Sequence, residues 1–153
     1  MSWSSQVVST GAAAQDKSVT VGILVPLTGE LGQFGEIVAN AVKLGVDQIN
    51  EAGGIESLGG RPLELVIFDA GDSAEKAKNA AQRMVSQYPD LVAVTGSWLS
   101  SFTLAVSEVT ERAELPMLTL SYSDQITNRG FKYIFQTSAS SGSQAAQSMP
   151  TLI

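Results

Sequence analysis

From Val19 onward, short runs rich in β-branched residues alternate with longer stretches of helical periodicity. No other feature narrows the fold as far, because strand–helix alternation favours a parallel sheet with crossover helices. The run VTVGILV, Val19–Val25, is apolar on both faces, as a strand covered on both sides must be. Phe34, Val38, Ala41, Val42, Gly45, Val46 and Ile49 then recur in steps of three and four, the stripe of one long helix that the glycines of AGG bring to an end. A second strand, LELVIFD, closes at Asp69, and Ser73 opens a helix with Ala74, Ala77, Ala81, Met84 and Val85 turned inward. LVAVTG predicts a third strand, and Phe102, Ala105, Val106, Val109 and Ala113 mark the helix after it. PMLTL predicts a fourth strand and KYIFQT a short fifth, separated by the polar loop SYSDQITNRG. The fold class expected is therefore α/β with a doubly wound parallel sheet, whose ligand crevice lies outside the carboxyl ends of the strands.

Composition removes whole classes of chemistry. With no Cys and no His, the chain has no thiolate nucleophile, imidazole base, disulfide or soft metal site, so neither catalytic residues nor a metal centre are expected. Fifteen acidic against nine basic residues, with no basic block, give a surface that a nucleic acid or an anionic membrane would repel, so no nucleic-acid partner is expected. At 153 residues with 44% hydrophobic content the chain is long enough for one domain with a core and too short for two.

The loops at the strand ends carry the functional signal. GELGQFGE, after the first strand, admits three readings: a phosphate cradle in a nucleotide-dependent α/β enzyme, a tight turn, or a ligand wall with Phe34 as its apolar face. The cradle is poorly matched. Glu30 stands where the first glycine of a dinucleotide fingerprint belongs, Asp69 comes too late for the ribose acid, and no Gly-Lys-Ser/Thr follows. After the third strand, GSWLSSFT places Ser100 and Ser101 at a helix start, where hydroxyls and free amides suit a carboxylate. LSYSD after the fourth strand is again rich in hydroxyls, with one aromatic. Three consecutive crevice loops thus offer hydroxyl, amide or aromatic groups and no base, which points to binding of a small anionic or zwitterionic molecule without a cofactor.

The segments VGILVPLTGELGQFGEIVANAVKLGVDQINEAGGI, GGRPLELVIFDAGDSAEKAKNAAQRMV, GSWLSSFTLAVSEVTERAELPML and ITNRGFKYIFQT together resemble the type I periplasmic binding proteins, solute receptors of ABC importers in the branched-chain amino acid class. The resemblance implies a Rossmann-like lobe that binds a solute against a second lobe, an ABC permease as partner, and a place in the periplasm or cell envelope. It implies that Phe34 packs on the ligand, that Ser100 and Ser101 hold its carboxylate, and that Leu120, Ser121 and Tyr122 meet its polar head. Bulky Trp98 and Tyr122 stand where amino acid binders often have small residues, so an aromatic acid, an amide or another small organic acid is as open as an amino acid. A ligand-sensing lobe of a receptor or regulator shares the same fold.

The expected organisation is a polar tail or signal remnant over 1–18, a ligand-binding lobe over 19–137, and a hinge with the start of a crossover helix over 138–153. The Ser/Gly stretch SASSGSQ is expected to be a flexible linker, and Pro150 to weaken the helix after it. A chain confined to one lobe is expected to leave apolar surface uncovered, and either to self-associate through its terminal segments or to be only marginally stable.

Overall fold

The computed structural model describes residues 17–149, and its centre is a sheet of five parallel strands in the order β2-β1-β3-β4-β5. In chain order the elements are β1 Val19–Val25, α1 Gly32–Glu51, β2 Leu63–Asp69, α2 Ala74–Gln87, β3 Leu91–Thr95, α3 Ser100–Arg112, β4 Met117–Thr119, β5 Ile134–Gln136 and α4 Ser141–Ser148. β1 runs alongside β2 over its whole length, from Val19 beside Leu63 to Val25 beside Asp69. The chain steps from β1 to one side for β2 and then back across to the other side for β3. The helices consequently divide between the two faces, as expected for a doubly wound sheet.

On one face α1 covers β1 and β2, with Ile23, Val25 and Ala39 buried and Leu27, Val38, Val42, Leu65 and Trp98 packed around them. On the other face α2 and α3 pack side by side over the sheet, burying Leu24, Ala77, Ala80, Ala81, Met84, Val94, Val106 and Met117 among others. Lys78 of α2 reaches Glu108 of α3 at 2.6 Å on the outer rim of that layer. Among the described residues, no helix covers the first face over β4 and β5. Met117 and Ile134 sit side by side in the buried layer, so their neighbours Leu118 and Phe135 face the opposite side, where they are 41% and 51% exposed. Uncovered apolar surface is thus present, on the sheet as well as on α1, where Ile37 and Leu44 are exposed.

The structure revises three expectations. The buried edge of α1 is Gly32, Gly35 and Ala39, while Phe34, Ala41 and Ile49 of the expected stripe are exposed. The cause is close approach: a Cβ at Gly35 would collide with the Pro26 carbonyl oxygen, and one at Gly32 would meet that of Leu27 at 3.0 Å. The glycines let the helix lie directly on the turn that feeds it, and this rotates the larger side chains toward the crevice. In α3 the buried stripe includes Thr103, Ser107 and Thr110, whereas Ala113 is exposed. SASSGSQ is tied down instead of loose. Ser138 Oγ donates to the Leu120 and Ser121 carbonyls, Ser141 N–H and Oγ donate to the Tyr122 carbonyl, and Gly142 N–H reaches the Asp124 carboxylate. α4 itself buries no residue. The expectations for the tail up to residue 16, for Pro150 and for the last residues lie outside the described residues.

Candidate functional site

Strand order reverses between β1 and β3, so the loops leaving their carboxyl ends diverge to opposite faces and open a crevice between them. A cavity of about 380 Å³ lies there, lined by Phe34, Ile37, Val38 and Val42 of α1, Thr95, Gly96 and Trp98 after β3, and Leu120 and Tyr122 after β4. Among the described residues, no charged side chain lines it. Its walls are apolar and aromatic, with polar groups confined to the ends of the loops, a composition suited to the body of a small organic molecule.

Of the seven candidate residues, the structure brings Phe34, Trp98, Leu120 and Tyr122 together around this one cavity. Phe34, Leu120 and Tyr122 are all more than half exposed, so they offer free apolar surface where a core would have hidden it. Ser100 and Ser101 begin α3, as the sequence suggests, next to this lining and outside it. The N-cap position is Leu99, which supplies no side-chain hydrogen bond, so the first amides of a 13-residue helix are left for another acceptor. Ser100 Oγ accepts the Ser123 N–H at 3.2 Å, which fastens the start of α3 to the loop after β4 while its own proton stays available. Ser121 is different: it is fully buried, and its hydroxyl lies 2.6 Å from Thr103 Oγ1. It supports the loop from beneath and is not part of the cavity wall.

The opposite rim is held by Asp69, which ends β2. Its carboxylate accepts the Leu27 N–H at 2.8 Å, the Thr28 hydroxyl at 2.7 Å and the Gly71 N–H at 2.8 Å. Burial acts to raise its pKa, but these hydrogen bonds outweigh burial and hold the carboxyl below the usual carboxylate value. Asp69 thereby joins the turn before α1 to the turn before α2 and sets where α1, and with it Phe34, enters the crevice.

Sequence reasoning missed Ile37, Val38, Val42, Thr95 and Gly96 as cavity residues. For the α1 residues a signal existed, since the stripe continues from Phe34 at helical spacing; periodicity alone gives core and cavity wall the same pattern. Asp69 was visible as an acid at a strand end. Its role emerges only when β1 and β2 are seen to lie in register.

Comparison with known proteins agrees with this architecture. A sequence profile of the periplasmic binding protein family matches residues 18–152. The Leu/Ile/Val-binding protein homolog 8 of Brucella suis is 32% identical over 148 residues, covering 95% of this chain and 35% of that protein. This chain therefore spans about a third of the length of such relatives. An ABC transporter substrate-binding protein from Desulfitobacterium hafniense, solved in complex with Leu, superposes with a TM-score of 0.74 at 27% identity, over 89% of this chain and 38% of that one. The branched-chain amino acid transporter substrate binding protein LivJ of Streptococcus pneumoniae, in complex with isoleucine, gives 0.72 at 27% identity over 81% and 34%. With a profile match across nearly the whole chain, a relative above 30% identity and the same parallel sheet in solved neighbours, this chain belongs to the periplasmic binding protein family.

Proposed function

We propose that residues 19–137 form one lobe of an extracytoplasmic receptor, which binds a small amino acid or organic acid and presents it to the permease subunits of an ABC importer, with the segment from 138 onward acting as a hinge. The cavity between β1 and β3, apolar in its walls and bordered by the uncapped start of α3, carries this reading. The apolar body of the solute packs against Phe34, Trp98 and Leu120. Its carboxylate takes the Ser100 and Ser101 hydroxyls and the first amides of α3, and Tyr122 meets the polar head. Two solved neighbours that hold leucine and isoleucine support an amino acid as the solute. Three aromatic side chains in the wall favour an aromatic acid as the second choice. The role is binding without catalysis and without a cofactor, since the loops pair their hydroxyls with no base. The nucleotide reading of the Gly29–Gly35 loop is disfavoured because the Gly32 and Gly35 amides already donate to the Gly29 and Leu31 carbonyls at 3.1 and 3.0 Å, and because Glu30 stands where the first glycine of the fingerprint belongs.

A thermal-shift screen against amino acids, aromatic acids and amides, with ATP and NAD as controls, tests this. A solute at 100 times its dissociation constant adds about 2.7 kcal/mol of stability. Stabilisation by a carboxylate-bearing solute, weakened by about 1–3 kcal/mol in Ser100→Ala, is the expected result. Stabilisation by ATP or NAD alone overturns the proposal.

A further inference from the structure

Beneath the crevice lies a closed set of hydroxyls that the solute would not touch. The Thr103 and Thr119 hydroxyls donate to the Ser97 carbonyl oxygen at 2.9 and 2.8 Å. The Ser121 hydroxyl lies 2.6 Å from Thr103 Oγ1, and Thr119 Oγ1 accepts the Ser121 N–H at 3.1 Å. None of these four residues is more than 2% exposed. One proton arrangement satisfies the Ser97 carbonyl and the Thr103, Thr119 and Ser121 hydroxyls, with Thr103 and Thr119 filling both lone pairs of the Ser97 oxygen and Ser121 donating to Thr103, while the buried Ser97 hydroxyl has no partner among the described residues. In a site closed to water each of these bonds is costly to lose, because the partner left behind is stranded.

The arrangement joins three segments. Ser97 precedes Trp98 in the loop after β3, Thr103 is in α3, and Thr119 and Ser121 flank the end of β4, just before Tyr122. A trans peptide points its carbonyl and the following N–H in opposite directions, so fixing the Ser97 oxygen inward also fixes the Trp98 amide outward. We propose that Thr103, Thr119 and Ser121 are positioning residues of the solute site, which lock the Ser97–Trp98 peptide and the loop after β4 into one relative placement, and so set the gap between Trp98 and Tyr122 that the solute must fit. This rests on the cavity being the solute site. It goes beyond that reading in assigning the site's shape to three hydroxyls that never meet the solute. Burying a hydroxyl costs free energy unless it is hydrogen-bonded, and at all three of these buried positions the bonds to one another and to the Ser97 carbonyl meet that cost.

The test uses the whole chain with Trp3→Phe, which leaves Trp98 as the single tryptophan. Thr103→Val and Thr119→Val remove one hydroxyl each at nearly constant volume, Thr103→Ser restores it, and Ser121→Ala is a milder variant for use if either valine variant does not fold. Two quantities are read on each: acrylamide quenching of Trp98 fluorescence, and affinity for L-leucine and for 3,4-dihydroxybenzoate. The expected result is stronger quenching and about tenfold weaker binding in the valine variants, the size of one hydrogen bond, with Thr103→Ser returning both to parental values. Unchanged quenching overturns the proposal. So does altered quenching with unchanged affinity, and so does a serine variant that behaves like valine, since the lost methyl packing would then be the cause. If the parent binds neither compound, these two are excluded as the solute and the quenching of Trp98 alone decides the role of the hydroxyls.

Discussion

A methyl group at Gly35 would run into the Pro26 carbonyl oxygen, whereas one at Gly45, ten residues along the same helix, would meet nothing within 4 Å. Gly35→Ala is therefore expected to destabilise the fold by about 1–3 kcal/mol through overpacking. Gly45→Ala is expected to stabilise it by about 0.5–1 kcal/mol through helix propensity. Urea denaturation of the two variants checks the sign as well as the size, and equal effects would contradict close packing of α1 on the turn. Asp69 makes a pH-dependent contribution. Its folded pKa is lowered, so its stabilisation is complete above the ordinary carboxylate value of 3.8 and is lost as pH falls below that through the folded value. Asp69→Asn should flatten the acid limb of stability measured between pH 5 and pH 2; an unchanged slope would mean that the turn is held without the charge. None of this was legible from residue identity alone. GELGQFGE and the acid at Asp69 stand out in the sequence, but the close approach at Gly35 and the three donors around Asp69 depend on register between β1 and β2.

At the scale of elements the sequence was most informative. All five strands and the first three long helices fall where alternation and periodicity place them, and Ser73 caps α2 by accepting the Lys76 N–H as its position suggests. What periodicity misjudged was phase. In α1 two glycines form the contact edge and turn the larger side chains toward the crevice. In α3 a threonine and serine stripe is buried because it has hydrogen-bond partners, which no hydrophobic pattern records. α4 is the element with least support. Its first turn is capped by Ser140 and anchored on Tyr122 and Asp124, yet it buries nothing. Isolated helices of this length are marginal. Amide hydrogen exchange should find α4 exchanging far faster than α2 and α3, with the Ser141 and Gly142 amides the most protected of their segment. Protection of α4 equal to that of α3 would show that it is packed against a surface.

Across the whole molecule, one arrangement explains both the closed and the open parts of the surface. The sheet is covered by α2 and α3 on one face and by α1 over β1 and β2 on the other, while Leu118, Leu120 and Phe135 stay exposed beside the cavity. The cavity thus has one firm wall, built from α1 and the loops after β3 and β4, and a side without cover. A single wall of this kind orients a solute without enclosing it, so binding to this lobe alone should be weak and should map to few residues. Chemical-shift mapping of the labelled chain during titration with L-leucine tests the central claim most directly. The predicted result is saturable shifts at the Trp98 indole, Leu120, Tyr122 and the amides of Ser100 and Ser101, with none on the outer surface of α2. Shifts centred on the Gly29–Gly35 loop with ATP in place of L-leucine, or no saturable shifts at the crevice with any carboxylate-bearing solute, would contradict it.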